Sequence, residues 1–144
     1  MSEPRFLTHI QTLPSWLAGR VADRGRELVA AAIAAEGLKL PQHAVLAAVA
    51  ECGPIAQADL VRLLRFDPKD MVVLINHLEH AGLAARRPDP HDRRKNAVTA
   101  TSRGLEVLDR CARLAEDANA ELLASLTDAE TRQLMQLMDR VHRG

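Results

Sequence analysis

A chain of 144 residues that is 47% hydrophobic has the length of one domain and enough apolar mass for a core. Only 2% of it is aromatic, so that core must come from Leu, Val, Ala, Ile and Met, a set that favours helix over sheet. The formal net charge is +0, no apolar run nears the ~20 residues of a membrane span, no basic-then-apolar leader opens the chain, and two cysteines make no disulfide framework. These features exclude the secreted and membrane-spanning classes and point to a cytoplasmic protein.

Residues 1–12 read as a loose leader with one apolar turn around Phe6, Leu7 and Ile10. Pro14 suits the first position of a helix, where its missing N–H costs nothing. From there Leu17, Val21, Leu28 and Ala32 hold one face, and Gly37 is the expected C-terminal cap. At near ~20 residues this helix exceeds the globular average, so part of it should pack on something beyond its own domain. Pro41 restarts a helix through Ala44, Val45, Leu46, Ala48 and Val49, which Gly53-Pro54 ends. Residues 56–64 form a short helix with Leu60, Leu63 and Leu64 inward.

Asp67-Pro68-Lys69-Asp70 then opens the next helix: an N-cap, a first-turn proline and a carboxylate that favours the helix dipole. Met71, Leu74, Ile75 and Leu78 are its buried face, and it stops at Gly82. The two short helices and their tight joint have the form of a helix-turn-helix, with residues 68–81 as recognition helix.

Next comes Arg86 to Gly104. Two short extended runs flank a Pro/Asp-rich tip, the signature of a β-hairpin. Residues 84–103 hold six cations (Arg86, Arg87, Arg93, Arg94, Lys95, Arg103) against Asp89 and Asp92. That is +4 here and −4 for the rest. A basic patch on a neutral chain is the footprint expected for phosphate contact, although a charge run alone is more often a solvated face. After it, Thr101 or Ser102 caps a long helix with Leu105, Leu108, Ala112, Ala115, Leu122 and Leu126 along one stripe. Thr127-Asp128-Ala129-Glu130 is a capping box that opens a last helix, with Leu134, Leu137, Met138 and Val141 inward. The expected fold is mainly α with a small β-hairpin, in five or six helices.

A helix-turn-helix followed by a basic hairpin is a winged helix, and here the sequence resembles the MarR family of bacterial transcription regulators. The family's wing runs close to R-x-x-D-P-x-D-R-R, then a strand, then L-T-x-x-G. This chain has Arg86, Asp89-Pro90, Asp92-Arg93-Arg94, Val98 and Ala100-Thr101-Ser102-Arg103-Gly104, with only the Leu before the Thr replaced. The resemblance spans nearly the whole chain by helix order and is most specific in the wing. It implies a winged helix-turn-helix lobe over 41–101 and dimerisation helices over 14–36 and 102–143. It implies a homodimeric repressor that binds double-stranded DNA at a pseudo-palindromic operator, and it allows a small-molecule effector.

By helical phase the residues facing DNA are Lys69, Val72, Val73, Asn76, His77 and His80. Many members carry Ser, Thr or Arg where this chain has Lys69, Asp70, Val72 and Val73, so its recognition helix is a weak electrostatic reader. Lys69 could meet a phosphate, Asn76 could pair with adenine, and Val72 or Val73 could touch a thymine methyl. Asp70 would repel phosphate unless it stays a cap or accepts from a cytosine amino group. The two valines could instead pack on a neighbour. The expected DNA contacts are therefore Lys69, Asp70, Val72, Val73, Asn76 and His77 on the helix, and Arg86, Arg93, Arg94 and Lys95 on the wing.

Other readings weigh less. His77 and His80 lie three apart, but no ligand cluster has metal-site spacing, so no metal or cofactor is expected. Cys52 and Cys111 read as small buried hydrophobes although Arg110 and Arg113 flank Cys111. Trp16 suits an interface anchor better than a pocket wall. No phosphate loop, activated nucleophile or carboxylate pair marks an enzyme. The alternative function is a winged-helix protein-interaction module that does not read DNA.

Overall fold

The computed structural model describes residues 5–144. Among these lie seven α-helices: α1 (Arg5–Gln11), α2 (Pro14–Ile33), α3 (Leu40–Cys52), α4 (Gln57–Leu64), α5 (Pro68–His80), α6 (Ser102–Leu122) and α7 (Asp128–Arg143). A three-stranded antiparallel sheet has the order β1 (Ile55–Ala56), β3 (Asn96–Ala100), β2 (Ala84–Pro88). The residues group into two compact units: residues 30–115, and the terminal segments up to 29 and from 116. The first unit therefore takes in the end of α2 and the first part of α6 as well as 41–101.

The 30–115 unit holds almost all of the core. Ile33, Val45, Leu46, Leu60, Met71, Ile75 and Leu78 are fully buried. Burying one such side chain is worth about 1.5–3 kcal/mol. α3 is seated at its start by Gln42, whose Oε1 accepts from Lys39 N–H at 2.9 Å. In the sheet, Ile55 pairs with Val98 on one side and Arg86 pairs with Val98 on the other. Ala97 and Val98, the centre of that sheet, are buried.

Local signals account for the helix that matters most. Asp67 caps α5, accepting from Lys69 N–H at 2.7 Å, and Pro68 takes the first position. At the other end, Leu83 N–H donates to Leu78 O (2.9 Å) and Gly82 N–H to Glu79 O (3.0 Å). This is a Schellman stop, with Gly82 left-handed at φ 76° and Leu78 and Leu83 both buried against it. Thr101, not Ser102, caps α6. Its Oγ1 accepts from Gly104 N–H at 3.1 Å and donates to Gly82 O at 2.6 Å. Gly104 is obligatory, because a Cβ there would overlap the Leu83 carbonyl oxygen.

In the terminal unit α2 and α6 approach closely at Gly25, where an added Cβ would sit 3.2 Å from Leu122. Thr127 and Glu130 form the expected capping box at α7, by reciprocal bonds of 3.2 and 3.0 Å. The Thr127 N–H, and after it the Thr127 side chain, hold the Glu130 carboxyl below its ordinary pKa.

Several expectations are corrected. The supposed leader contains α1, and the hairpin gains a third strand, β1, too short to show in a sequence pattern. Leu63 faces outward from α4. The buried stripe of α6 is Gly104, Val107, Cys111 and Ala118, while Leu105 and Ala112 are exposed. Small residues at the buried positions gave the wrong phase. In α7 Leu137, Met138 and Val141 are exposed rather than inward. Cys52 is exposed at the end of α3, whereas Cys111 is buried.

Candidate nucleic-acid interface

α4 and α5 meet through three residues, Arg65 to Asp67. Arg65 closes α4 in the left-handed region (φ 55°, ψ 37°), a place usually given to glycine. That sharp turn sends α5 off with one face packed and the other in solvent. Met71, Ile75 and Leu78 face the core. Lys69, Asp70, Val72, Val73, Asn76, His77 and His80 are all exposed. Val73 is 66% exposed, whereas Val72 is 39% exposed and so more than half covered. The residues expected to face DNA thus lie on the solvent side of α5.

The wing follows directly from the Gly82 stop. β2 and β3 pair from Ala84↔Ala100 to Pro88↔Asn96, and residues 89–95 form the tip. The two tip aspartates serve its backbone. Asp89 Oδ1 accepts from His91 N–H at 2.8 Å, and Asp92 Oδ1 accepts from Arg94 N–H at 3.1 Å. Asp89 N–H donates to Lys95 O and Lys95 N–H to Asp92 O, closing the turn. Both carboxylates are thereby partly spent on the loop. Asp92 also makes a loose ion pair with Arg94 at 3.4 Å, yet the Arg94 side chain stays 92% exposed. Arg87, Arg93 and Lys95 are exposed and make no ion pair among the described residues. The tip thus presents cations outward while its acids face its own amides.

Arg86 stands apart. It is half-buried and held by Glu79 of α5, Nη1 donating to Oε1 at 2.9 Å and its N–H to Oε2 at 3.1 Å. Two participants escape a sequence reading. Glu79 looks like a solvated helix residue, and nothing in a sequence pattern links it to Arg86. Arg65 cannot be placed because a left-handed arginine has no composition signal. It borders an open cleft of about 480 Å³ with Pro41, Phe66, Asp67, Asp70 and Val73.

The remaining candidates lie elsewhere or stand alone. Among the described residues no group of three His, Cys, Asp or Glu side chains could hold a metal. Burial pushes the Cys111 thiol up from its ordinary pKa, the Glu36 charge adds to this and Arg110 opposes it. His43 is shifted down by burial alone. Trp16 is half-buried, with the Arg20 guanidinium 5.9 Å from its ring centre.

Comparison with known proteins fits this geometry. The model of the MarR family matches residues 36–95, from just beyond α2 to the wing tip. The HTH-type transcriptional repressor Rv2887 of Mycobacterium tuberculosis is 29% identical over 126 residues, 88% of this chain and 91% of that protein. The crystal structure of Rv2887 in complex with DNA superposes with a TM-score of 0.79 at 28% identity, over 90% of this chain and 97% of that one. The complex of Rv2887 with salicylic acid gives a TM-score of 0.74 at 28% identity, over 90% and 96%. The order of helices and the small sheet go with these matches, and over residues 36–95 the chain is similar to the MarR family of winged helix-turn-helix proteins.

Proposed function

We propose that this chain is a DNA-binding transcription regulator, a repressor that acts as a homodimer on a pseudo-palindromic operator. The observation that carries this reading is the pairing of an exposed α5 face with a hairpin tip whose acids are turned to its own backbone. Lys69, Asp70, Val72, Val73, Asn76 and His77 would lie in the major groove. Arg93, Arg94 and Lys95 would reach the flanking minor groove or its phosphates. Residues 14–36 and 102–143 would form the dimer interface, with 41–101 as the reading lobe. The name of Rv2887 as a repressor, and its complex with DNA, support the same role here. Its complex with salicylic acid supports a small-molecule effector for this chain too.

No helix among the described residues is long and apolar enough to cross a membrane, which suits the cytoplasmic location proposed for a regulator of this family. A protein-interaction module without DNA readout is favoured only by the recognition helix, whose outward face carries one lysine beside Asp70. Selection of bound sequences from a random duplex pool, followed by salt titration, tests the proposal. Recovery of a palindromic motif with salt-dependent affinity is expected. No enrichment and no duplex binding at low salt would overturn it in favour of the module.

A further inference from the structure

β2 is an edge strand, since β3 lies between it and β1. An edge strand turns alternate N–H groups away from its neighbour, and each needs another partner. The N–H of Arg86 finds Glu79 Oε2 at 3.1 Å, and the guanidinium of the same residue finds Oε1 at 2.9 Å. One glutamate near the end of α5 thus spends both oxygens on one residue in the middle of β2. The Arg86 side chain is 23% exposed. To reach a phosphate it would first have to leave Glu79.

We infer that Glu79 and Arg86 form a clamp that fixes the wing against the recognition helix, and that Arg86 positions the wing instead of contacting DNA. The inference rests on the proposal that α5 and the wing together bind DNA. An exposed ion pair alone contributes little. This one is different because one of its two bonds goes to main chain, and because it joins the two elements that would touch DNA. β1 holds the far side of β3 at this level, but β2 has no strand on its outer side, and beyond Arg87 the wing is a two-stranded ribbon, which is marginal unless its root is held. Bracing Arg86 sets how far the tip lies from the bases under α5. It therefore couples recognition of the central bases to recognition of the flank.

The test uses the full chain with Glu79→Ala, Glu79→Gln, Arg86→Ala and the double Glu79→Ala/Arg86→Ala variant. Each is titrated against the duplex selected by the unmodified protein, and against the same duplex with altered flanks, at several salt concentrations. Each alanine variant should weaken binding about tenfold and lose preference for the selected flank, with the salt slope unchanged. The double variant should be no weaker than either single one, as for two groups in one interaction. Glu79→Gln, which keeps the main-chain acceptor, should fall between.

A salt slope lowered by Arg86→Ala, together with tighter binding by Glu79→Ala, would overturn the clamp and make Arg86 a phosphate contact. Additive single losses would overturn it as well. If the unmodified protein binds no duplex, the DNA-binding reading itself falls. If it binds, and Arg93→Ala weakens it while Glu79 variants do nothing, only the clamp falls. Should Arg86→Ala fail to fold, Glu79→Gln and amide exchange of Arg86 in the unmodified protein decide, with slow exchange expected and unprotected exchange overturning the clamp.

Discussion

At the scale of single residues the junction between wing and α6 is the least forgiving point. Gly104 lies so close to the Leu83 carbonyl that any side chain must displace backbone. Gly104→Ala should destabilise the protein by about 1–3 kcal/mol or more, read as a lower urea midpoint at unchanged m-value. The two cysteines should separate in reactivity. Burial and the Glu36 charge keep the Cys111 thiol protonated, and it is fully covered. Native-state alkylation should therefore label the exposed Cys52 and spare Cys111 until the chain unfolds. His43 gives a pH signature. Its folded pKa is lowered by burial, so below the ordinary value of about 6.5 the unfolded chain takes the proton first. Stability should fall as pH drops from 7 through 6.5 toward the folded pKa, and His43→Gln should flatten that part of the curve. Residue-scale features are legible in the sequence when they are caps. Asp67, Gly82 and the Thr127–Glu130 box use fixed local offsets, and all stand where the sequence places them. Glu79–Arg86 is illegible there because its partners meet only after the Gly82 stop reverses the chain.

At the scale of elements, long periods of large apolar residues are legible and short or small-residue ones are not. α5 shows its buried face because Met71, Ile75 and Leu78 are large. α6 hides its own face because Gly104, Cys111 and Ala118 are small, which is what allows the helix to approach its neighbours closely. β1 has two residues, too few for any alternation to appear. The wing is legible in its charge pattern, but the division of labour among its arginines is not. The tip cations and the α5 face should differ in kind when tested. Arg93→Ala or Arg94→Ala should weaken binding to all duplexes and lower the salt slope by about 0.9 for each phosphate no longer neutralised, doubled in a dimer. Asn76→Ala should cost about 1–3 kcal/mol at one base position and leave the slope alone. If neither arginine variant changes affinity or slope, the wing does not touch DNA and the regulator reading loses its main support.

For the whole molecule the telling fact is how unevenly apolar surface is covered. The 30–115 unit buries most of its large apolar side chains, with Leu63, Val72, Val73 and Leu105 the exceptions, while the terminal unit leaves a run of them in solvent. Phe6 is 87% exposed and Val141 82%, and Leu7, Leu17, Val21, Met135, Leu137 and Met138 are exposed with them. α7 buries no residue at all within one chain. A helix with an apolar face but nothing against it is unstable as an isolated element, since most helical stability in proteins comes from packing such a face. Large apolar side chains left exposed in one unit suit an interaction surface. A second copy of the chain is the partner that the proposed palindromic operator requires. A two-fold axis would present two α5 helices about 34–36 Å apart, one helical turn of DNA. Dimerisation would then convert the second half-site contact into an intramolecular event, raising affinity well beyond that of one lobe. Sedimentation of the unmodified protein at micromolar concentration should give a dimer, and a folded monomer there would sink the proposal. Placing charges on the exposed face of α7, as in Met138→Asp with Val141→Asp, should dissociate it. Because the changed residues lie outside the 30–115 unit, that variant should keep weak, salt-dependent binding to a single half-site. Its affinity for the full operator should fall to the half-site value, a loss that no wing substitution reproduces.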